Sequence, residues 1–328
     1  MQNWGNKIFQ SLSSTDFEKL CLEAFHFQYE NVRVYRTYCD LLKINTSKVK
    51  RVKDIPFLPI EMFKTHTVFF DKGKAESVFT SSGTSGEKVS RHFVHSLSLY
   101  EKSFRLAFEM VYGDLRNYCF LALLPSYLER EGSSLVYMCR DLINQSIHSQ
   151  SGFYLNEYED LRLKIKDLIK KKTPTILLGV TYALLDLSDL EITLPDNFIL
   201  METGGMKGKR KEMVREELHS VLKKHFSVTT VHSEYGMTEL LSQAYSVGDG
   251  IFTCPPWMRV LIRDPNDSFT FFEPGKSGGI NVIDLANIYS CCFLETKDLG
   301  KLHADFRFEI LGRFDNSDIR GCNLMVQF

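Results

Sequence analysis

The chain has 328 residues, of which 44% are hydrophobic and 25% are charged, an ordinary composition for a soluble globular protein. A chain of this length can bury a large core without disulfides or metal ions. Lys and Arg total 40 against 41 Asp and Glu, and the formal net charge of -1 excludes a nucleic-acid binder that relies on a general basic field.

Export and membrane signals are also missing from the sequence. Its longest apolar run, from Tyr118 to Pro125, is far shorter than the roughly 20 residues that a membrane span needs. Residues 1–19 contain no apolar signal-peptide core. The eight cysteines show no Cys-x-x-Cys spacing, which is typical of reduced thiols. We therefore expect a cytoplasmic protein with no membrane span, and the size favours an enzyme.

Three helices are predicted in chain order. The first has a capping-box pattern at Thr15 and Glu18, followed by apolar residues at the spacing of one helix face. The second begins near Ser96, with a cap at Ser98. The third runs over about residues 207–225. The apolar residues that this third helix is predicted to bury are Val214, Leu218, Val221 and Leu222.

Short apolar runs of strand length lie between the helical stretches. They are Cys119–Leu124, Thr175–Val180, Phe198–Met201 and Val228–His232. Their alternation with helices predicts parallel sheets flanked by helices. Later strand-like runs, with turn signals at Asp264-Pro265, Pro274-Gly275 and Gly278-Gly279, are Trp257–Ile262, Ile280–Ile283 and Cys291–Leu294. These later runs predict a smaller, mostly antiparallel β subdomain.

The fold class is therefore α/β, and we expect three parts. A helical segment over residues 1–60 packs on the main body. An α/β core covers residues 61–250, and the β-rich subdomain covers residues 251–328. No internal repeat or long flexible linker separates these parts, so we expect them to form one compact unit.

A Ser/Thr/Gly-rich stretch, Thr80–Lys88, is the sharpest local motif. Gly83 and Gly86 permit tight backbone turns, and the hydroxyl and N–H groups between them can point at an anion. The stretch lacks the spacing of a Walker A loop, which excludes a P-loop NTPase. The alternative is a flexible Ser/Gly surface turn.

A second motif, Val231–Glu239, follows a predicted strand, where ligands sit in open α/β sheets. Tyr235 can offer a flat face to a base, Thr238 a hydroxyl to a phosphate, and Glu239 a carboxylate to Mg²⁺. The alternatives are a half-buried sheet aromatic for Tyr235 and a helix-start acid, favoured by the helix dipole, for Glu239.

Two further stretches complete the set. Gly204 and Gly205 follow a predicted strand and let the backbone approach a planar ligand. The basic residues after them are interpreted as a solvated helix face. Near the end, the carboxylate of Asp298 can accept hydrogen bonds from both hydroxyls of a ribose, and Gly312–Asp315 follows it.

Together, in this order and at these spacings, the four stretches resemble the adenylate-forming superfamily, which includes acyl-CoA synthetases, peptide-synthetase adenylation domains and firefly luciferase. The resemblance implies that superfamily's N-terminal-domain architecture from about residue 60 onward, with ATP and Mg²⁺ as cofactors and Glu239 as the metal ligand. The ATP- or AMP-binding residues that it implies are Ser81, Ser82, Gly83, Thr84, Ser85, Gly86, Gly204, Gly205, Tyr235, Gly236, Thr238, Asp298 and Arg313.

One departure from that superfamily is large. Its members normally continue past the hinge motif, here Gly312–Asp315, into a mobile domain that carries a catalytic lysine. This chain stops at Phe328. We therefore expect no C-terminal mobile domain, and no lysine from such a domain acts here.

The shortened form is similar to the acyl-protein synthetases of the LuxE type, which belong to bacterial fatty-acid reductase systems. The strings that carry this likeness are Ser126–Arg130, Thr203–Gly205 and Arg320–Cys322. Such proteins activate a fatty acid as an acyl-adenylate with release of pyrophosphate. They then take the acyl group onto a cysteine near the C-terminus and pass it to a partner acyl reductase (LuxC-type). The resemblance implies that Cys322 is the acyl acceptor.

The chemistry of these residues leaves alternatives open. A free thiol with a pKa of about 8.5 is a few per cent thiolate at neutral pH and is already a strong nucleophile. The alternative interpretation of Cys322 is a small, buried hydrophobic residue. Lys88 is a second candidate catalytic residue, on the phosphate side with Ser82 and Thr84, or else a solvated surface lysine. The candidate acyl-pocket residues are Ser126, Tyr127 and His232, the last with the alternative of a hydrogen-bonded strand-end histidine.

Two other functions remain open at this point. One is an AMP-forming acyl- or aryl-CoA ligase similar to phenylacetate-CoA ligases. The other is a non-catalytic nucleotide-binding subunit that docks on a reductase. The sequence leaves open the chain length and the aliphatic or aromatic character of the acid, and whether the protein is a homo-oligomer.

Overall fold

The computed structural model describes residues 4–10, 12–81, 88–125, 132–155, 157–188, 192–204 and 213–314. Its α-helices are α1 (Trp4–Ile8), α2 (Ser14–Asn31), α3 (Arg33–Leu41), α4 (Met62–Thr65), α5 (Leu97–Tyr112), α6 (Ser134–Gln145), α7 (Tyr158–Lys170), α8 (Thr181–Leu187) and α9 (Arg215–Phe226). Within these ranges, no helix has both the length and the apolar character needed to cross a membrane.

The strands form two larger sheets and one hairpin. They are β1 (Leu58–Pro59), β2 (Ser77–Thr80), β3 (Arg91–Val94), β4 (Cys119–Leu123), β5 (Gly152–Tyr154), β6 (Thr175–Val180), β7 (Phe198–Thr203), β8 (His232–Tyr235), β9 (Ala244–Ser246), β10 (Ile251–Phe252), β11 (Met258–Asp264), β12 (Asp267–Phe272), β13 (Ser277–Asp284), β14 (Phe293–Leu302) and β15 (Phe308–Arg313). Short 3-10 turns occupy Thr46–Lys48, Val52–Asp54, Leu115–Asn117 and Leu285–Asn287.

The first sheet has the order β5-β4-β6-β7-β8-β9 and is parallel except for β9, which pairs antiparallel with β8. β4 and β6 are buried along their whole length, which is why both read as unbroken apolar runs. Their predicted bounds are confirmed to within one residue. Because parallel strands end at one edge of a sheet, Thr203 of β7 and Tyr235 of β8 lie at the same edge.

One strand of this sheet lies later in the chain than predicted. The predicted run Val228–His232 is wrong, and the strand is β8, which starts at His232. Ser227 ends α9 in the left-handed conformation, with a φ of 55°. The amide of Val228 still donates to the Lys223 carbonyl at 3.2 Å. The chain is therefore still leaving the helix where the apolar pattern predicted a strand.

The first long helix has a different cap from the predicted one. In α2, the Ser13 hydroxyl oxygen accepts a hydrogen bond from the Asp16 amide at 3.1 Å, so the capping box predicted at Thr15 and Glu18 is wrong. Glu18 instead accepts a hydrogen bond from the Val52 amide at 3.3 Å. Its carboxylate therefore fixes a later 3-10 turn against the helix.

The two other predicted helices are present with corrections. α5 begins as predicted, but Ser96 rather than Ser98 provides the capping hydroxyl. Residues 207–212 of the third prediction lie outside the described residues, and the described helix α9 begins after Val214. Val214 is 68% exposed, so its predicted burial is wrong. Val221 is half-buried. The residues of that set that are buried as predicted are Leu218 and Leu222.

The second sheet has the order β10-β15-β14-β13-β11-β12, with antiparallel pairing, and β1 adds to β14 in parallel. The turn predicted at Asp264-Pro265 is confirmed because it joins β11 to β12. The turn predicted at Gly278-Gly279 is wrong because both glycines lie inside β13. A Cβ at Gly279 would meet the guanidinium of Arg263. The missing side chain therefore makes room for a buried cation.

α2 contacts the segment between β13 and β14. The Gln28 side chain is fully buried and donates to the Ile288 carbonyl at 2.9 Å. It also accepts a hydrogen bond from the Cys292 amide at 3.0 Å. These two backbone groups would otherwise be buried without partners, which is costly. The N-terminal helix therefore helps to hold the second sheet in place.

We predict that Gly279→Ala lowers the free energy of unfolding by about 1–3 kcal/mol, because the added methyl group overpacks the site of Arg263. Denaturant unfolding measures this loss. The matched control is Gly152→Ala in β5, where no atom lies within 4 Å of the added Cβ, and its expected change is within about 0.5 kcal/mol. Equal losses in the two variants would contradict this account of Gly279.

Glu234, on β8, is a buried acid. The Thr203 hydroxyl donates to its carboxylate, and burial raises its pKa from 4.5 to about 7. An acid whose folded-state pKa is raised stabilises the fold in its protonated form. That contribution is complete below pH 4.5 and is lost as the pH rises through about 7.

Glu234→Gln should therefore flatten the dependence of stability on pH. We expect the free energy of unfolding of the variant, relative to that of wild type, to be about 2–3 kcal/mol higher at pH 8 than at pH 5, since one pKa unit corresponds to about 1.4 kcal/mol. Unfolding curves at the two pH values measure the gain. Glu273→Gln, at an exposed glutamate, is the control and should show no such gain. A parallel pH profile for Glu234→Gln and wild type would rule out this source of pH dependence.

Candidate active site

Two of the predicted motifs meet where the two sheets pack. Tyr235 ends β8, and its hydroxyl donates to Asp298 Oδ2 at 2.8 Å. Asp298 lies on β14, and its Oδ1 is 3.1 Å from Nε of Arg313 on β15. The three side chains therefore form a continuous chain from tyrosine through carboxylate to guanidinium. Each comes from a different strand, and the two sheets both contribute.

The ring of Tyr235 is held by aromatic neighbours. It meets Phe252 and Phe308 edge-on, with centroid distances of 6.0 and 5.6 Å. The side chain is buried, so the alternative of a sheet aromatic describes its packing, although Tyr235 is more deeply buried than the half-buried residue of that alternative. Its hydroxyl nevertheless contacts Asp298. The structure thus gives Tyr235 a positioning contact with the carboxylate in addition to its place in the core.

Asp298 is an acid that is largely excluded from water. Burial raises the pKa of its carboxyl above the ordinary value, and the guanidinium of Arg313 opposes that shift. Arg313 itself is 72% exposed at the side chain. The pair therefore joins a buried acceptor to an accessible cation. Such a pair can bind hydroxyl groups at the carboxylate and an anion at the guanidinium.

Glu239 is a second buried acid, 7% exposed. Burial raises the pKa of its carboxyl, while a hydrogen bond from the Ser90 side chain and the charges of Arg313 and Lys64 lower it. Residues 236–243 are not helical, so the interpretation of Glu239 as a helix-start acid is wrong. In the described part of the chain, no group of three or more His, Cys, Asp or Glu side chains could hold a metal ion.

The base of the predicted phosphate loop lies beside Glu239. The Ser81 amide donates to the Ser90 carbonyl at 3.1 Å, and the Ser90 amide donates to the Ser81 hydroxyl at 2.9 Å. These bonds continue the β2–β3 hairpin and close the loop between the two serines. The Ser90 side chain also contacts Glu239, so the strand segment just after the first motif touches the second motif.

Some of the remaining predicted residues lie in the described part of the chain, and the others lie outside it. Gly204 directly follows β7 and has a φ of 69°, a conformation that favours glycine, and its carbonyl accepts a hydrogen bond from Thr181 Oγ1 at 3.3 Å. Lys88 is exposed. A Cβ at Gly236 would lie 2.5 Å from Glu234 Oε1, so the Glu234 carboxylate would have to shift to accept a side chain there. The predicted residues that lie outside the described residues are Ser82, Gly83, Thr84, Ser85, Gly86, Gly205, Ser126, Tyr127 and Cys322.

His232 lies at the other end of β8 from Tyr235, three residues or about 10 Å along the strand. Its Nδ1 is 3.1 Å from the Tyr112 hydroxyl, and burial lowers the pKa of its imidazole. The structure therefore matches the alternative of a hydrogen-bonded histidine at a strand end. It does not bring His232 to the Tyr235–Asp298 contact.

Three buried polar residues near the second motif were not identified from the sequence. His92 contacts the Thr238 carbonyl, Asn287 contacts the Glu239 carbonyl, and Asp284 accepts a hydrogen bond from the Leu241 amide at 2.7 Å. Asp284 and Asn287 flank the apolar Leu285 and Ala286, and this pattern was the one sequence feature that indicated their role, because polar residues in a buried run need partners. Nothing in the sequence around His92 pointed to residues so far along the chain.

Comparison with known proteins identifies the family to which the chain belongs. The model of the family described as "Acyl-protein synthetase, LuxE" matches residues 10–327. A curated relative, the long-chain-fatty-acid–luciferin-component ligase of Vibrio harveyi, is 25% identical over 99% of this chain and 90% of its own length.

Solved structures share the fold. A 2-hydroxyisobutyryl-CoA ligase in an open conformation, in complex with 2-HIB-AMP and CoA, has a TM-score of 0.66, with 13% identity over 94% of this chain and 77% of its own. ATP-bound MatB from Rhodopseudomonas palustris has a TM-score of 0.53, with 18% identity over 74% of this chain and 49% of its own. The fold is that of the adenylate-forming ligases. Since the family model spans nearly the whole sequence, the chain belongs to the LuxE family of acyl-protein synthetases, which are acid-activating ligases.

Proposed function

We propose that this protein uses ATP to convert a fatty acid into an acyl-adenylate with release of pyrophosphate. It then transfers the acyl group to Cys322 and from there to a partner acyl reductase of the LuxC type. The observation that carries the proposal is the contact of Tyr235, Asp298 and Arg313 next to Glu239 and the base of the phosphate loop. The name of the Vibrio harveyi relative supports a long-chain fatty acid as substrate.

Nucleotide binding is assigned to the carboxylate–guanidinium pair. Asp298 accepts hydrogen bonds from the two ribose hydroxyls, since a carboxylate has enough lone pairs for both. Tyr235 positions that carboxylate through its hydroxyl and marks the edge of the adenine site together with Gly204, Gly205 and Gly236. Arg313, exposed to solvent and paired with Asp298, provides the positive charge for the phosphate. ATP-bound MatB, which has the same fold, supports ATP as the ligand.

The phosphate side is assigned to Ser81 through Gly86, with Thr238 and Lys88. Glu239 would hold Mg²⁺, and its surroundings fit that ion. Mg²⁺ in nucleotide sites is usually bound by one or two carboxylates together with phosphate oxygens and waters, and Glu239 is a single buried carboxylate. When bound, the ion neutralises the negative charge of the phosphates.

The first chemical step needs no general base. A carboxylate oxygen of the fatty acid attacks the α-phosphorus of ATP, the bond between the α-phosphorus and the bridging oxygen breaks, and pyrophosphate leaves. The protein positions the two anions and offsets their repulsion. Arg313 and Lys88 are the cations assigned to this task, and Ser82 and Thr84 donate hydrogen bonds. Ser126, Tyr127 and His232 are assigned to the acyl pocket.

The second step uses a thiol. The Cys322 thiolate attacks the acyl carbonyl carbon, the thioester forms, and AMP leaves. The other cysteines are poor candidates because burial raises the pKa of each described thiol, for example to about 12 in Cys39 and Cys254. The described cysteines whose pKa is raised in this way are Cys21, Cys39, Cys119, Cys139, Cys254, Cys291 and Cys292. A raised pKa leaves little thiolate to react.

We assign these steps to three parts of the chain. Residues 1–60 support the body, residues 61–250 supply the phosphate and metal side, and residues 251–328 supply the ribose ligand, Arg313 and the acyl acceptor. The division after residue 250 is supported by β10, which starts at Ile251 and already pairs within the second sheet.

A CoA ligase is the second candidate function. The similarity of fold to 2-hydroxyisobutyryl-CoA ligase over 94% of this chain favours it. It shares the adenylation step and differs in the thiol that receives the acyl group. A non-catalytic nucleotide-binding subunit is less well supported, because burying Glu239 and Asp298 costs free energy that a structural role does not require.

Glu239→Gln should reduce the exchange of labelled pyrophosphate into ATP by about 100-fold or more, because an amide lacks the charge that a Mg²⁺ ligand supplies. The measurement uses wild type and variant with a panel of fatty acids. The control is Glu273→Gln, at a surface glutamate paired with Lys53, and it should keep the wild-type rate. Exchange by Glu239→Gln at the wild-type rate would overturn the assignment of Glu239.

Cys322→Ser should preserve pyrophosphate exchange and abolish acyl labelling. Intact-mass analysis after incubation with ATP, Mg²⁺ and a fatty acid should show an acyl adduct on wild type that hydroxylamine removes. Cys254→Ser, at the half-buried cysteine, is the control and should still be labelled.

Each other result of the labelling experiment has a distinct meaning. An adduct that persists in Cys322→Ser would overturn the assignment of the acyl acceptor. Acyl-adenylate without an adduct, followed by acyl-CoA when CoA is added, would favour the CoA ligase. Absence of pyrophosphate exchange with every acid would leave the binding subunit.

A further inference from the structure

His92 is a fully buried histidine that belongs to none of the recognised motifs. It lies on β3, two residues after Ser90, which closes the phosphate loop. Its Nδ1 is 2.8 Å from the Thr238 carbonyl oxygen, 146 residues further along the chain. Phe63 of α4 meets the imidazole edge-on at 5.5 Å. The ring thus joins the strand that leaves the phosphate loop to the backbone just before Glu239.

Asn287 extends this connection to Glu239. His92 Nε2 is 2.9 Å from the side-chain amide oxygen of Asn287, and the Asn287 amide nitrogen donates to the Glu239 carbonyl at 2.7 Å. Asn287 is fully buried. The two consecutive carbonyl groups of Thr238 and Glu239 are therefore both held by side chains. Neither carbonyl depends on a regular helix or strand at this point.

Asp284 holds the same segment from the other side. Its carboxylate accepts hydrogen bonds from the Leu241 amide at 2.7 Å and from the Ser242 hydroxyl. Asp284 is the last residue of β13 and caps the short 3-10 turn that ends at Asn287. The second sheet therefore fixes residues 238–242 at the amide side through Asp284. The carbonyl side depends on His92 and Asn287.

The partners of the two ring nitrogens limit which of them can carry a proton. The two oxygens that face the ring, the Thr238 carbonyl oxygen and the Asn287 side-chain oxygen, only accept, so each contact is a hydrogen bond only when the ring nitrogen beside it carries a proton. Burial lowers the pKa of His92 to about 4, so the ring is neutral at pH 7 and carries one N–H. The oxygens of Thr238 and Asn287 compete for that proton. Variants that keep a donor at only one of the two positions can therefore separate the two contacts.

We propose that His92 is a positioning residue that holds the Thr238–Glu239 backbone at a fixed place relative to β3, beside Asn287, which holds the Glu239 carbonyl. The inference rests on the proposed function in so far as Glu239 is the ligand of the ATP-bound Mg²⁺. His92 acts through the backbone of Glu239. Without it, the carboxylate of Glu239 is present, but its backbone is no longer fixed against β3.

The first test measures the position of the segment without substrate. Hydrogen–deuterium exchange followed by mass spectrometry is compared for wild type, His92→Leu, His92→Asn and His92→Gln. In His92→Leu, the amides of residues 238–242 should exchange about 10-fold faster or more, while those of β11 and β13 stay unchanged, because local opening is independent of global unfolding. The asparagine variant should restore protection, since its amide nitrogen replaces Nδ1. The glutamine variant, whose amide replaces Nε2, should restore less.

The second test separates positioning from general destabilisation. The Mg²⁺ concentration for half-maximal pyrophosphate exchange should rise about 5-fold or more in His92→Leu, whereas KM for the fatty acid changes less than about 2-fold. His219→Leu is the control, since His219 is also buried but contacts Glu202 and Ser233. It should lower the melting temperature and leave the Mg²⁺ dependence as in wild type.

These results decide between distinct outcomes. Equal exchange protection in residues 238–242 of wild type and His92→Leu would overturn the proposal, as would a Mg²⁺ dependence that moves no more than in His219→Leu. Where the leucine variant does not fold, the comparison of His92→Asn with His92→Gln decides, and equal behaviour of these two would also overturn it. Absence of pyrophosphate exchange in wild type would instead reject the proposed function, and the deuterium exchange would still decide whether His92 holds the segment.

Discussion

The burial of two carboxylates, those of Glu239 and Asp298, is the constraint on which the candidate site depends. Burial raises the pKa of both groups, which means that each ionised carboxylate is held at a cost in free energy. The fold offsets that cost only in part, through Ser90 for one and Tyr235 with Arg313 for the other. In the proposed function, Mg²⁺ and the ribose hydroxyls would complete the compensation.

The two sheets are needed together because neither contains a complete site. The first sheet ends at Tyr235, and the second contributes Asp298 and Arg313 on neighbouring strands. Loops that follow parallel strands are free to vary in position, but here the turn from Asp284 to Asn287 holds residues 238–242 by direct hydrogen bonds. The second sheet therefore holds a loop of the first sheet in place. The position of Glu239 in that loop is fixed by residues that do not belong to the first sheet.

The sequence predicted those features whose causes are local. β4 and β6 were located correctly because strands buried on both faces are continuous apolar runs. β8 was misplaced because Ser227 extends the end of α9 by a left-handed residue, which no apolar pattern encodes. Gly279 was misread as a turn because its reason for being glycine is the side chain of Arg263 on another strand. The contact of His92 with Thr238 was invisible for the same reason, since its partner is 146 residues away.

Motif residues that were ambiguous one at a time become interpretable through their contacts. Tyr235 is a buried sheet aromatic, and its hydroxyl also contacts an acid on another sheet, so its place in the core and its contact with Asp298 occur together. For Glu239 the structural interpretation fails because no helix starts there, and among the described residues Ser90, its own backbone amide and the charges of Arg313 and Lys64 offset its burial only in part. A buried charge that costs stability is retained where function needs it. The same reasoning gives less weight to His232, whose hydrogen bond with Tyr112 already accounts for its place in the fold.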